Sequence, residues 1–172
     1  MNTLFGPIRQ LGYLVDDLDA ALSHWVEVLG VGPWHVYPHV QMGDPIYRGS
    51  PCQVDMTVAW ANSGELQIEL VKQHNDAPSI YREWLDQGRL GLHHLGFFVD
   101  DIEAVMARLD PQPERLQHGR GFCYIDTVQH PGTMTELIRC DAGMRGLFDM
   151  IKASAEGWDG SDPVRKLGAP AP

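Results

Sequence analysis

The chain has little of what marks a secreted, membrane-bound or nucleic-acid-binding protein. Its 172 residues include only three cysteines, Cys52, Cys123 and Cys140, an odd number, widely spaced and without a CxxC pair. That argues against a disulfide framework and a thiolate zinc site, and a reducing, cytoplasmic compartment is expected. Basic residues are scarce: 13 Lys and Arg against 23 Asp and Glu leave a formal net charge of −10. Nucleic acid and anionic membrane surfaces select basic patches, so neither is an expected partner. No apolar run approaches the length of a membrane span. The first residues lack the basic-then-apolar order of a signal peptide. There is no Gly-rich phosphate cradle and no Ser-His-Asp constellation, so nucleotide binding and covalent hydrolysis have no support. The length suits one domain with a full core, and a small molecule is the expected partner.

What the chain does have is a repeat. Gln10-Leu11-Gly12-Tyr13-Leu14-Val15-Asp16-Asp17-Leu18 returns 84 residues later as His94-Leu95-Gly96-Phe97-Phe98-Val99-Asp100-Asp101-Ile102. In both copies a strand-length apolar run gives way to a helical pattern opened by Asp, a good N-cap. A second echo pairs Ile68-Glu69-Leu70-Val71 with Thr135-Glu136-Leu137-Ile138.

The pattern predicts the same order twice. Residues 8–15 read as a strand. Leu18, Ala21, Leu22, Trp25 and Leu29 then form a helical stripe stopped by Gly30. Strands follow at 33–40, 53–61 and 65–72, the last two joined by the turn Asn62-Ser63-Gly64. The second copy repeats this with a strand from 92, a helix carrying Ile102, Val105, Met106 and Leu109, a weak strand at 114–118, and strands at 121–127 and 133–139. Its last two strands are joined by Gln129-His130-Pro131-Gly132. Gln10 to Glu69 spans 59 positions and His94 to Glu136 only 42. The excess falls mainly in 41–52, which reads as a long Gly- and Pro-punctuated loop, either a binding loop or a surface excursion. The expected organisation is a first unit over 1–75, a connector helix over 76–91, a second unit over 92–140, and a C-terminal helix with an extended tail over 141–172. Trp158 marks part of that tail as packed.

Alternate residues of a strand share a face. Gln10, Glu69, His94 and Glu136 each stand among small or apolar neighbours on one face, at equivalent places in the two copies. Two buried carboxylates cost several kcal/mol, on the order expected for unpaired buried charge, and repel each other. A divalent cation removes both penalties. Three oxygens, one nitrogen and no sulfur suit zinc, nickel, cobalt or manganese. His93, next to His94, reads as pointing the other way. Trp34, Tyr37, Trp60, Phe98, Phe122 and Tyr124 are candidates for an apolar pocket or ordinary core. Arg48 is a candidate anchor for a substrate anion or a plain loop charge.

At these residues the chain resembles the vicinal oxygen chelate superfamily, which includes glyoxalase I, methylmalonyl-CoA epimerase and the extradiol dioxygenases. Leu29-Gly30-Val31-Gly32-Pro33-Trp34, Ile68-Glu69-Leu70, and His130-Pro131-Gly132 followed by Glu136-Leu137 look most like its glyoxalase/epimerase subgroup. The resemblance implies an α+β fold: two tandem βαβββ modules forming a cup-shaped, partly open mixed sheet with helices outside. It carries metal-ligand roles onto Gln10, Glu69, His94 and Glu136, and catalytic roles onto Glu136 and Glu69 as bases. The implied reaction is isomerase or lyase chemistry, proton transfer next to a carbonyl through a metal-stabilised enediolate. It also implies a homodimer. Gln10 stands where many members have His, which counts against a ferrous dioxygenase needing two His and one carboxylate. Metal-free binding proteins of the same superfamily keep a sequestration role open.

Overall fold

The computed structural model describes residues 4–40, 42–126 and 132–168. The first copy opens with strand β1 (Gln10–Leu14) and helix α1 (Leu18–Glu27). Asp17 accepts from the Ala20 amide at 3.0 Å, as an N-cap should. The second copy opens with β7 (Gly91–Val99) and α3 (Ile102–Met106), where Asp101 caps by accepting from Glu103 and Ala104. The first copy goes on through β2 (Trp34–Tyr37), β5 (Met56–Ser63) and β6 (Leu66–Gln73). The second goes on through β8 (Arg115–Gly119), β9 (Phe122–Ile125) and β10 (Met134–Arg139). The His130 and Pro131 part of the predicted turn lies outside the described residues.

All strands join one curved, unclosed mixed sheet, as expected of the fold. β1 pairs parallel with β6, β7 pairs parallel with β10, and β1 and β7 meet antiparallel at the centre. The two copies are thus related by an approximate two-fold between β1 and β7. In each copy the helix leads to the far strand of the unit, β2 or β8, and two antiparallel steps bring the last strand, β6 or β10, back beside the first and parallel to it.

Three layers of apolar packing follow. α1 covers the outer face of the first copy through Leu22, Trp34, Ala59, Ile68 and Leu70. α3 does the same for the second through Met106, Cys123, Ile125 and Leu137. The third cluster lies on the inner face, where α2 (Ile80–Asp86) and α4 (Ala142–Ala155) pack Ile80, Tyr81, Trp84, Phe148 and Ile151 against Leu14, Val58, Val71 and Ile138. The expectation of outside helices therefore applies to α1 and α3; α2 and α4 lie on the concave side.

Two segments differ from the sequence reading. Residues 41–52 contain a small hairpin, β3 (Ile46–Tyr47) and β4 (Ser50–Pro51), which pairs Ile46 and Tyr47 with His118 and Gln117 of β8. Its turn residues Arg48 and Gly49 have φ of 45° and 79°, the doubly left-handed backbone that matches strand twist in two-residue hairpins. The insertion of the first copy thus extends the sheet edge of the second. At the other edge, β11 (Val164–Lys166) pairs parallel with β2. Trp158 packs on Gly32, where an added Cβ would stand 2.6 Å from its ring. Among the described residues, no helix is long and apolar enough to cross a membrane.

Candidate metal centre

The repeat and the antiparallel centre build the site together. Gln10 lies opposite Gly96 and Gly12 opposite His94, so each copy's candidate ligand faces the other copy's glycine. The glycines are needed because those side chains lie across them. A Cβ on Gly12 would stand 1.9 Å from His94 Cε1, and one on Gly96 would stand 3.0 Å from Gln10 Oε1. β6 and β10, parallel to β1 and β7, then place Glu69 next to Gly12 and Glu136 next to Gly96.

His94 is fully buried, and Gln10, Glu69 and Glu136 are at least nine-tenths buried. His94 Nε2 stands 3.1 Å from Glu69 Oε2 and 3.2 Å from Glu136 Oε2, yet makes no directed hydrogen bond. Gln10 Nε2 donates to Gln67 Oε1 at 2.7 Å, and Gln10 Oε1 is left buried without a partner. Trp60 Nε1 donates to the other Glu69 oxygen at 2.8 Å. One ligand atom each from Glu69, His94 and Glu136 falls within 4.8 Å of the others. A buried Gln10 oxygen without a partner beside two buried carboxylates and an imidazole nitrogen fits a place for a cation, and the donor set suits a borderline divalent ion.

The electrostatics agree. Burial pushes the Glu136 carboxyl up to about 8, and Glu69 adds to the rise while His94 and Tyr124 oppose it. Burial alone would lower His94, but Glu136 and Glu69 outweigh it and raise the imidazole above its usual range. The cluster holds protons where a cation would otherwise neutralise it. The folded Glu136 carboxyl binds its proton more tightly than the unfolded one, whose ordinary value is 4.5. Its contribution to stability is full below 4.5 and lost as pH rises through about 8. His94 acts with the same sign. Metal-free protein is therefore expected to show a falling Tm from about pH 4.5 to about pH 8 in thermal melts; a level or rising Tm across that window would contradict these burials.

Gln10, Glu69 and Glu136 line a cavity of about 1100 Å³, with His94 buried behind them. Its walls are largely apolar, including Met42, Met56, Met144, Leu147, Phe122 and Ile138. The 41–52 hairpin region contributes through Met42, Gly43, Asp44 and Pro45, and the tail through Leu167 and Gly168. Tyr124 lines this cavity, and its hydroxyl meets Tyr81's at 2.8 Å. Burial raises both phenols well above their usual range.

Tyr37 and Trp60 also line the cavity, and the other three pocket candidates lie elsewhere. Trp34 is completely buried on the outer face, stacked edge-on against Trp25, with its Nε1 donating to Val31 O. Phe98 stacks on Phe148 at 5.0 Å and does not line the cavity. Arg48 is held by Glu83 at 2.7 Å and Glu114 at 3.5 Å, and pins the hairpin to α2 rather than facing the cavity. Tyr47 donates to the same Glu83 carboxylate.

Sequence reasoning missed His93, Tyr81 and Gln67. His93 shares the inner side with His94 because β7 carries an extra residue opposite the Gly12–Tyr13 step. Such a bulge turns two successive side chains the same way. Burial holds His93 well below the usual imidazole range.

A family model described as the glyoxalase/bleomycin resistance protein/dioxygenase superfamily matches residues 9–124. No functionally curated protein matches the sequence. Among solved structures, a hypothetical protein from Bacillus halodurans C-125 is 16% identical, with 77% of this chain and 92% of that one covered and a TM-score of 0.57. A methylmalonyl-CoA epimerase from Mycobacterium tuberculosis is 20% identical over 80% of this chain and 90% of its own, with a TM-score of 0.56. A second methylmalonyl-CoA epimerase is 24% identical over 80% and 97%, with a TM-score of 0.51. At these identities the likeness is one of fold.

Proposed function

Since this chain belongs to the glyoxalase/bleomycin resistance protein/dioxygenase superfamily, we propose that it is a metal-dependent isomerase or lyase moving a proton next to a carbonyl. The observation that carries this is the buried Glu69–His94–Glu136 contact, with Gln10 beside it, opening on a large cavity. Gln10, Glu69, His94 and Glu136 would hold one divalent ion: zinc, nickel, cobalt or manganese. When bound, such an ion supplies Lewis acidity to a carbonyl oxygen and stabilises the charge left by a departing α-proton.

The chain's own groups do the rest. Glu136 is the proposed base: it lines the cavity beside His94, and its ionised carboxylate can take and return a proton there. Glu69, whose Oε1 is tied to Trp60, is the proposed second acid-base group. The Tyr124 hydroxyl, at the cavity wall, is the proposed group to orient a substrate oxygen. The methionine- and leucine-rich wall excludes water and favours a substrate with an apolar body. The proposal includes a homodimer in a reducing compartment, which three buried free cysteines suit.

The apolar lining also favours a second reading, a binding protein that sequesters an apolar ligand. One experiment separates them. Protein purified without chelator is incubated in deuterium oxide with α-hydroxy ketones, hemithioacetals and acyl-CoA esters. The enzyme reading predicts metal-dependent deuterium incorporation at the carbon next to the carbonyl; tight binding of these compounds with no exchange favours sequestration.

A further inference from the structure

We propose that His93 is a positioning residue that locks His94 in the tautomer with a lone pair on Nε2, facing Glu69 and Glu136. The inference rests on the metal-centre reading above.

Hydrogen-bond chemistry sets the direction of the chain. His93 Nε2 contacts the Ile80 carbonyl at 3.5 Å, and a carbonyl only accepts, so the proton sits on His93 Nε2. A neutral His93 then has a bare Nδ1. That atom lies 3.1 Å from His94 Nδ1, so His94 must donate there. With its proton on Nδ1, His94 offers Nε2 as an acceptor, the form in which imidazole ligates a metal. Ligating histidines usually give the other N–H to a carboxylate, carbonyl or water; here an imidazole takes that place.

The device is anchored on the connector. Ile80 opens α2, whose N-terminus is fixed by Ser79 donating to Gln73 at 2.6 Å and by Gln117 accepting from the Ile80 amide at 3.1 Å. The His93 ring is clamped between Trp84 at 4.6 Å and Tyr81 at 5.2 Å and is almost wholly buried. Without the bulge in β7, the ring could not reach this side. Thus α2 is tied through one imidazole to the ligand set.

A purely space-filling His93 would give the same burial, so the test separates shape from lone pair. His93→Phe keeps an aromatic ring and removes the acceptor; His93→Gln keeps a side-chain acceptor. Zinc affinity is measured by competition with a chromophoric chelator, with Tm recorded for each variant. His93→Phe is expected to bind zinc about 10–100-fold more weakly, and His93→Gln to recover most of that loss. His93→Phe binding within about twofold of wild type, well outside that range, overturns the proposal and leaves the metal centre standing. Wild-type protein that takes up no zinc overturns both. Should His93→Phe not fold, wild-type protein loaded with Co²⁺ carries the test by proton NMR. A hyperfine-shifted, slowly exchanging His94 Nδ1–H is expected, and its rapid exchange with water contradicts the proposal.

Discussion

Glu136→Gln is expected to lower turnover by about 10²–10⁴-fold, the usual contribution of a positioned general base. The change is nearly isosteric, and it leaves an amide that can still meet Tyr124. What it removes is the negative charge that stands 3.2 Å from His94 Nε2 and faces the cavity. The same substitution is expected to act the other way on the stability of metal-free protein. Burial and Glu69 both oppose ionisation of this carboxyl, so the wild-type fold carries an unfavourable charge above about pH 8. Removing it should raise Tm at about pH 9, where the wild-type carboxyl is ionised, and leave Tm near wild type at about pH 4, where it is protonated in both the folded and the unfolded chain. Kinetics with an exchange-competent substrate and melts at the two pH values check both halves. Turnover that survives Glu136→Gln would remove this residue from the chemistry. A Tm that falls at high pH would show that the charge is compensated within the protein.

Gly12→Ala is expected to damage the centre from a strand that supplies none of its charges. The new methyl would stand 1.9 Å from His94 Cε1 and 2.0 Å from its Nε2, where real Cβ atoms are not found. His94 is fully buried, with the ring of Tyr124 at 5.3 Å and that of His93 at 5.4 Å on its flanks. The ring must turn away from Glu69 and Glu136, and zinc affinity should fall by at least the roughly 100-fold that loss of a ligand's orientation produces. Overpacking adds about 1–3 kcal/mol of destabilisation. Gly146→Ala provides the contrast: it lies within α4 with nothing inside 4 Å, and should stabilise by about 0.5–1 kcal/mol without touching zinc affinity. Equal zinc affinity in wild type and Gly12→Ala would mean that the His94 ring does not need its place over Gly12.

The duplicated strand-helix pattern made both modules and the four central residues legible, because period-two alternation places Gln10, Glu69, His94 and Glu136 on one side once the copies are aligned. The alternation rule failed at His93 for a physical reason: one extra residue in β7 turns two neighbours the same way, and no local signal announces a bulge. Residues 41–52 looked like a loop because their strands are two residues long and are set by a left-handed turn at Arg48 and Gly49 and by pairing with distant β8. The role of Arg48 was hidden for the same reason: its partner Glu83 lies on α2, and nothing near Arg48 in sequence points there. Trp34 shares its face with Val36, and which face of a short strand looks inward depends on its pairing with β5, visible only in three dimensions. The placement of α2 and α4 on the concave side was likewise a matter of long-range packing.

The most direct test is a cobalt titration of metal-free protein, followed by its visible spectrum and by metal analysis after gel filtration. Gln10, Glu69, His94 and Glu136 acting as one ligand set predict about one retained ion per chain, displaced stoichiometrically by zinc, with retention lost when both glutamates are replaced by glutamine. Wild-type protein that retains no ion, or a double variant that retains it as well as wild type, would contradict them.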